Sequence, residues 1–288
     1  MSRFSDLHRE FKEEVSVMKD GILFAQSSYK AVGLLREASA QTTDPWPPNA
    51  ISAINSLASP NRKAENLTYD GTVVLLAATY EAFARDTIKA ICGEIEIRIP
   101  KFDELAEKIK SANARATGRI LSRHSEERYS QFDYLDLSKK IGTCVVGSTQ
   151  YLLNSGPLSS HDRNLSSTEL ADLFRRIGID KLWEKIGATG VVQQYFQTTA
   201  PVPAQKAATA KLDEFISLRN QVAHNGSGDS SIGPEALVQW LDFFLTLTES
   251  LASIAAEYCN GLSPIVPNPV TAIPAPAPMP SGTATSSG

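Results

Sequence analysis

The stretch that decides the fold is Lys211-Leu-Asp-Glu-Phe-Ile-Ser-Leu-Arg-Asn-Gln-Val-Ala-His224, which is followed at once by Asn225 and Gly226. Its apolar residues recur at three- and four-residue steps and form one stripe of an amphipathic helix: Leu212, Phe215, Leu218 and Val222. Gly226 supplies a signal for the helix to end. The stretch therefore predicts a helix that packs its apolar stripe against other elements.

Three polar residues stand at the end of this predicted helix: Arg219, Asn220 and His224. Asn220 and His224 are four residues apart and share a face, whereas Arg219 lies about 100° round the helix from Asn220. The long arginine side chain can swing towards the other two. A guanidinium, an amide and an imidazole are thus predicted to converge at one end of one helix.

The pattern Arg219-Asn220-x-x-x-His224, near the end of a helix in a chain without a convincing strand, resembles the signature of the HEPN superfamily. Residues 73–86 resemble the early helix of HEPN proteins of the RiboL-PSP type, and residues 164–178 are similar to the segment between the two helices. The resemblance covers roughly residues 70–258. It implies an all-α fold, an antiparallel helical bundle with extra helices.

The resemblance also implies a metal-independent endoribonuclease without a cofactor. RNA carries its own nucleophile, the 2′-hydroxyl, so cleavage needs a base, an acid and positive charge on the phosphate. A histidine can serve as base or acid near neutral pH, and an arginine fork suits phosphoryl oxygens. By this resemblance His224 is the acid or base, Arg219 clamps the phosphate and Asn220 orients either.

In HEPN nucleases two motif helices meet across a dimer axis and form one composite cleft. The resemblance therefore implies a homodimer that acts on RNA, in a toxin-like or antiphage defence role that an antitoxin or regulatory protein restrains. A second hypothesis is a catalytically silent helical module that binds RNA or a protein. A third is a target for modification by a nucleotidyltransferase.

From the residues alone, a purely structural interpretation of the motif stays open. Arg219 and Asn220 would brace the helix, and His224 would gain from its position at the helix C-terminus, where the dipole favours a cation.

Asp70-Gly71 precede a second predicted helix, over residues 72–98, and Glu81 is predicted to lie at the edge of the apolar face of that helix. A carboxylate there is costly to bury without a partner. Arg85, four residues on, and Arg219 are both available partners. The resemblance favours Arg219, because an acidic residue on this helix commonly positions the motif arginine in HEPN domains.

A basic stripe is predicted on a third helix, over residues 103–124 with Asp103 as its N-cap. Arg115, Arg119 and Arg123 repeat every four residues on it. Such a stripe is usually a solvated face. The functional alternative is a surface for RNA phosphates, with little sequence readout because aromatic residues are missing from the stripe.

The remaining chain divides into segments by composition. Residues 1–40 predict a long helix, because apolar residues from Phe4 to Ile22 step by three and four; we expect it to pack on the protein's own core, with a partner helix as the alternative. Residues 41–69, with Pro45-Trp46-Pro47-Pro48, predict a loop or hinge with at most a short helix at residues 50–57. Residues 70–260 form the HEPN-like helical domain, and residues 261–288 predict a disordered Pro-rich tail. Within the domain, a loop precedes the capping box Ser166-Ser-Thr-Glu169 and contains His161, Asp162 and Arg163, which are expected to be solvated.

Composition bounds the remaining possibilities. The chain has 288 residues and a net charge of −4, so any RNA binding needs a local basic patch. Its three cysteines are scattered and predict free thiols in a reducing compartment. Its four histidines lie far apart and predict no metal site. Charged residues interrupt the first apolar run and the last long apolar stretch, so we expect a cytoplasmic protein that neither carries a signal peptide nor binds a membrane.

Overall fold

The computed structural model describes residues 3–41, 46–58, 61–145, 150–225 and 232–263. These residues form α-helices and two short 3-10 turns and contain no strand, which confirms the all-α prediction. The helices are α1 Arg3–Gln41, α2 Pro48–Ala58, α3 Asn61–Arg98, α4 Glu107–Ser122, α5 Tyr134–Val145, α6 Ser155–Ser159, α7 Ser167–Arg176, α8 Leu182–Ala188, α9 Gly190–Tyr195, α10 Pro201–Asn225 and α11 Pro234–Asn260. The predicted Pro-rich tail lies outside the described residues after residue 263.

The core forms around α3, which contacts α1, α10 and α11. Aromatic rings join these helices. Tyr80 of α3 lies 4.8 Å from Phe244 of α11, between ring centroids, and Phe244 lies 4.6 Å from Phe215 of α10. Phe11 of α1 packs edge-on against Phe83 of α3 at 5.5 Å. Each such pair contributes about 0.5–1.5 kcal/mol beyond the burial of its area, so the rings fix how the four helices pack.

The first half of α1 belongs to this core. Its buried side chains lie on the predicted apolar stripe, at Phe4, Phe11, Val15, Met18 and Ile22. Leu7 of the same stripe is half-buried. Lys19 pairs with Asp242 at 2.5 Å, and His8 lies 3.3 Å from the Thr248 hydroxyl, so α1 runs antiparallel to α11. The prediction that α1 packs on the core of its own chain is therefore confirmed.

The segment over residues 41–69 was predicted to be a loop or hinge with at most a short helix at residues 50–57, and that short helix is present as α2, Pro48–Ala58. The loop prediction is wrong for residues 61–69, because α3 begins at Asn61 instead of residue 72. Tyr69 is buried, and its burial holds the extra turns of α3 on the core. Its hydroxyl donates a hydrogen bond to the Glu65 carboxylate at 2.6 Å, one turn earlier on the same helix. Asp70-Gly71, which predicted a helix start, lies inside the helix instead.

The third predicted helix also starts later than expected. Phe102–Glu104 forms a 3-10 turn that includes Asp103, and α4 begins only at Glu107, after Ala106 with no side-chain cap. Leu105 separates the two because its side chain is buried and its backbone is extended.

The position of α10 depends on a close approach by α8. A Cβ atom on Gly187 would lie 2.5 Å from the carbonyl oxygen of Pro201 and 2.7 Å from the Cβ atom of Gln205. Only glycine allows the α8 backbone to come this near, so Gly187 helps to set where the motif helix lies.

The three cysteines, Cys92, Cys144 and Cys259, are free and buried. Burial raises the pKa of the Cys92 thiol well above its usual range, which keeps it protonated and unreactive. Within the described part of the chain, no helix has the length and apolar character that a membrane span requires.

The aromatic core makes a stability prediction. Phe244→Ala removes a fully buried ring and should lower the free energy of unfolding by about 3–5 kcal/mol. Phe24→Ala removes a phenylalanine ring from α1 that is 75% exposed, and should change the free energy of unfolding by less than about 0.5 kcal/mol. Urea denaturation of both variants measures the difference, and equal losses would contradict this account of the core.

Candidate functional site

The three motif residues lie on the last two turns of α10. Arg219 and Asn220 are half-buried, and the Arg219 Nη1 atom lies 3.5 Å from the Asn220 side-chain oxygen, at the limit of a hydrogen bond. Arg219 Nε is buried, with no hydrogen-bond partner among the described residues. His224 is exposed in the last turn. The structure therefore turns the guanidinium towards the amide and leaves the imidazole open to solvent.

Residues 160–167, which we call the bracing segment, run beside this part of α10. The Asn164 side-chain amide donates to the Asn220 side-chain oxygen at 2.5 Å. The Ser167 backbone N–H and hydroxyl donate to the Asp213 carboxylate at 2.9 and 2.7 Å. Because Asp213 precedes Asn220 while Ser167 follows Asn164, the segment runs antiparallel to α10, along about 10 Å of its length.

Asp213 also supports the start of α7, which begins at Ser167. Ser166 is the N-cap of α7, and its hydroxyl accepts from the Glu169 backbone N–H at 3.4 Å, as the capping box predicted. A carboxylate at a helix N-terminus is favoured by the helix dipole. The Trp183 indole N–H donates to the Ser167 carbonyl at 2.8 Å, so this junction is held from two sides.

Glu81 contacts the same segment. Its side chain accepts from the Leu165 backbone N–H at 3.4 Å. Among the residues that the structure describes, no ion pair within 4 Å joins Glu81 to Arg85 or to Arg219, although we expected one or the other. Arg85 is exposed and Arg219 turns to Asn220, so Glu81 holds the backbone of the bracing segment instead.

The other end of the bracing segment is tied to α4 and α7. The Asp162 carboxylate accepts from Arg119 Nη1 at 3.1 Å and from the Tyr129 hydroxyl at 3.0 Å. Arg176 Nη1 donates to the Ser160 carbonyl at 2.7 Å. The segment thus connects basic residues of two helices to the motif, and Asp162, which we expected to be solvated, is an anchor.

The three arginines of the predicted α4 stripe lie in different surroundings. Arg115 and Arg119 line a groove between α4 and α7, together with Arg175 and Arg176. Arg123 is the C-cap residue of α4 and lies 3.8 Å from the Glu126 carboxylate. The α7 arginines were not anticipated, because they lie more than 50 residues away from α4 in the sequence.

Sequence reasoning also missed Asn164 and Asp213. Neither belongs to a recognisable motif, and their partners lie 56 and 46 residues away. The only local signal was the capping box at Ser166, which marks where the bracing segment ends. No group of three histidine, cysteine, aspartate or glutamate side chains in the described part of the chain is arranged to hold a metal ion.

The described residues form an all-α domain that carries an arginine, an asparagine and a histidine at the end of a core helix, the combination that resembles the HEPN class of proteins. The family model described as RiboL-PSP-HEPN matches residues 49–257. The chain therefore belongs to the RiboL-PSP-HEPN family, as the motif indicated. No curated protein and no solved structure matches the chain.

The Asp213 junction can be tested by stability. Asp213→Ala leaves the buried Ser167 N–H and hydroxyl without their acceptor. Because Asp213 is itself exposed and water can replace it, the free energy of unfolding should fall by about 0.5–1.5 kcal/mol, the net contribution of an ordinary hydrogen bond. Glu214→Ala removes a neighbouring exposed carboxylate that forms no ion pair among the described residues, and should cost less than about 0.5 kcal/mol. Chemical denaturation compares them, and an Asp213→Ala variant as stable as Glu214→Ala would contradict the bracing role.

Proposed function

We propose that this protein is a metal-independent endoribonuclease whose active centre is Arg219, Asn220 and His224. The observation that carries the proposal is the arrangement on α10. The guanidinium and amide are turned together, the imidazole beside them is exposed, and the bracing segment holds the amide from outside the helix. Membership of a HEPN family supports it.

The reaction needs only groups that the motif can supply. The 2′-oxygen of a ribose attacks the adjacent phosphorus, its proton passes to an imidazole, and the bond from phosphorus to the 5′-oxygen breaks. A protonated imidazole gives its proton to that 5′-oxygen. The products carry a 2′,3′-cyclic phosphate and a 5′-hydroxyl. Arg219 stabilises the extra negative charge on the phosphate in the transition state, because its donors fit phosphoryl oxygens and stay protonated.

The need for both a base and an acid supports a homodimer. One chain offers one motif histidine, and His224 is exposed at the end of α10, where a second copy can approach it. In the proposed dimer two α10 ends meet, so that one His224 accepts the proton and the other donates it. Asn220, fixed by Asn164, orients the groups in between.

A nuclease with little sequence readout would damage the RNA of its own cell. We therefore propose a cytoplasmic toxin-like or defence role, in which an antitoxin or regulatory protein restrains cleavage. The requirement for restraint, and the family, are the support for this role.

The second candidate is a catalytically silent module that binds RNA or a protein through the same surface. One observation favours it: the Asn220 side-chain oxygen is already occupied by Asn164, so part of the motif serves the fold. The two candidates differ in whether RNA is cut.

The deciding experiment incubates purified full-length protein with mixed cellular RNA in EDTA. We expect wild-type protein to cut. His224→Ala should lose about 10²–10⁴-fold in rate, the usual contribution of a general acid or base, and Arg219→Ala about 10²–10³-fold, the usual contribution of one group that stabilises transition-state charge. Analysis of the fragment ends should find cyclic phosphates. Light scattering on the purified protein before RNA is added should give twice the 31.2 kDa of one chain.

The matched control is His124→Ala, which removes another exposed histidine, located after the end of α4. It should cut like wild type. Folded, dimeric wild-type protein that leaves RNA intact would favour the silent module. If His224→Ala cuts RNA as fast as wild type, His224 takes no part in the reaction.

A further inference from the structure

A basic groove lies between α4 and α7, which we call the α4–α7 groove. Its volume is about 230 Å³. Five cations and one carboxylate line it: Lys108, Arg115, Arg119, Arg175, Arg176 and Asp172. In a chain with a net charge of −4, so many cations around one groove are a local departure from the overall charge.

The groove exists because small residues alternate with long ones on α4. Ala112 and Ala116 also line it, and they lie between the cations on the same helix face. Their short side chains leave space that the basic side chains of the two helices surround. The lining includes no aromatic residue, so it offers charge and hydrogen-bond donors but no surface on which a base can stack.

Two of the five cations are committed to the fold. Arg119 holds Asp162, and Arg176 holds the Leu158 and Ser160 carbonyls. The other contacts are looser. Lys108 pairs with Asp180, and both side chains are well exposed.

Arg115 and Arg175 are the cations most available to a ligand. Arg115 is exposed and forms no ion pair among the described residues, and the Arg175 side chain is 62% exposed, paired with Asp172. Burial raises the pKa of Asp172, but hydrogen bonds from Arg175 and Arg176 outweigh it and hold that pKa below its usual value. An ion pair this exposed contributes little to stability, so Arg175 can turn from Asp172 to a stronger anion at little cost.

We propose that the α4–α7 groove binds a backbone phosphate of the RNA substrate, an inference that rests on the proposed nuclease function. Arginine donors match phosphate oxygens in a two-pronged geometry. The volume is below the range of about 300–1,000 Å³ that is typical of whole small-molecule sites, so the groove suits one phosphate and not a nucleotide with its base. The site reads the backbone and no base.

The bracing segment places this groove close to the motif. Arg119, which lines the groove, contacts Asp162, and Asn164 contacts Asn220. Asp162 and Asn164 are two residues apart, so their Cα atoms lie at most about 7.6 Å from each other. One RNA strand can therefore occupy the groove and reach the motif, and the groove would fix the strand at a constant distance from the scissile bond.

The test measures binding without cleavage. All proteins carry His224→Ala, and the probe is a fluorescent single-stranded RNA with 2′-O-methyl riboses, followed by anisotropy between 50 and 200 mM salt. The groove variant is Arg115→Gln with Arg175→Gln. Both side chains are exposed, so the fold should tolerate the change, and thermal melting verifies it. The control, Arg9→Gln with Arg36→Gln, removes the same charge from exposed positions on α1, outside the groove and outside the α4 stripe.

We expect the groove variant to bind about tenfold more weakly than its parent at the lowest salt. The logarithm of the binding constant falls linearly with the logarithm of the salt concentration, and the magnitude of that slope should decrease by about 0.7 for each phosphate that the variant no longer neutralises. The control should stay within about threefold of the parent. Equal losses in both variants, no loss in the groove variant, or no RNA binding by the parent would overturn the groove site.

The outcome is separable from that of the cleavage experiment. If the groove variant binds RNA as tightly as its parent, the groove is not an RNA site, and a positive result in the cleavage experiment still stands. If the groove variant binds RNA more weakly than its parent, but the wild-type protein never cuts RNA, the groove site stands and the proposed nuclease function fails.

Discussion

The burial of Phe215 fixes the rotation of α10, and the site depends on that rotation. The ring is fully buried among the aromatic side chains of the core. On a helix with about 100° per residue, Asp213, Asn220 and His224 then lie within about 40° of one another, on the side away from the core. Arg219 lies on the core side and must curl outwards. Its half-burial and its contact with Asn220 follow from that position.

Local periodicity was enough to predict much of this. The apolar steps predicted α10 and the packing half of α1, and the spacing of Arg219, Asn220 and His224 indicated the family. Local periodicity could not show which side chains contact the motif. Asn164 meets Asn220 across 56 residues of chain, and spacing rules describe only neighbours within a turn or two of one helix. Glu81 shows the same limit, because its partner is a distant backbone N–H that no pattern of charges reveals.

Where a local signal and tertiary burial disagreed, burial decided the structure. Asp70-Gly71 indicates a helix start, yet the burial of Tyr69 carries α3 through it. The basic surface is a second case. The α4 stripe could be predicted, but the cations that complete the groove come from α7, and only packing brings the two helices together. The bracing segment contacts both the groove, through Arg119, and the motif, through Asn220, so one structural link joins the two.

In the proposed reaction, the motif promotes attack by the substrate's own 2′-hydroxyl. The most direct measurement maps one cleavage site of the wild-type protein and then replaces only the ribose 5′ to that bond by 2′-deoxyribose. We expect cutting at this bond to disappear while cutting at neighbouring sites continues. Unchanged cutting at the deoxyribose would show that the nucleophile comes from elsewhere and would contradict the proposed reaction.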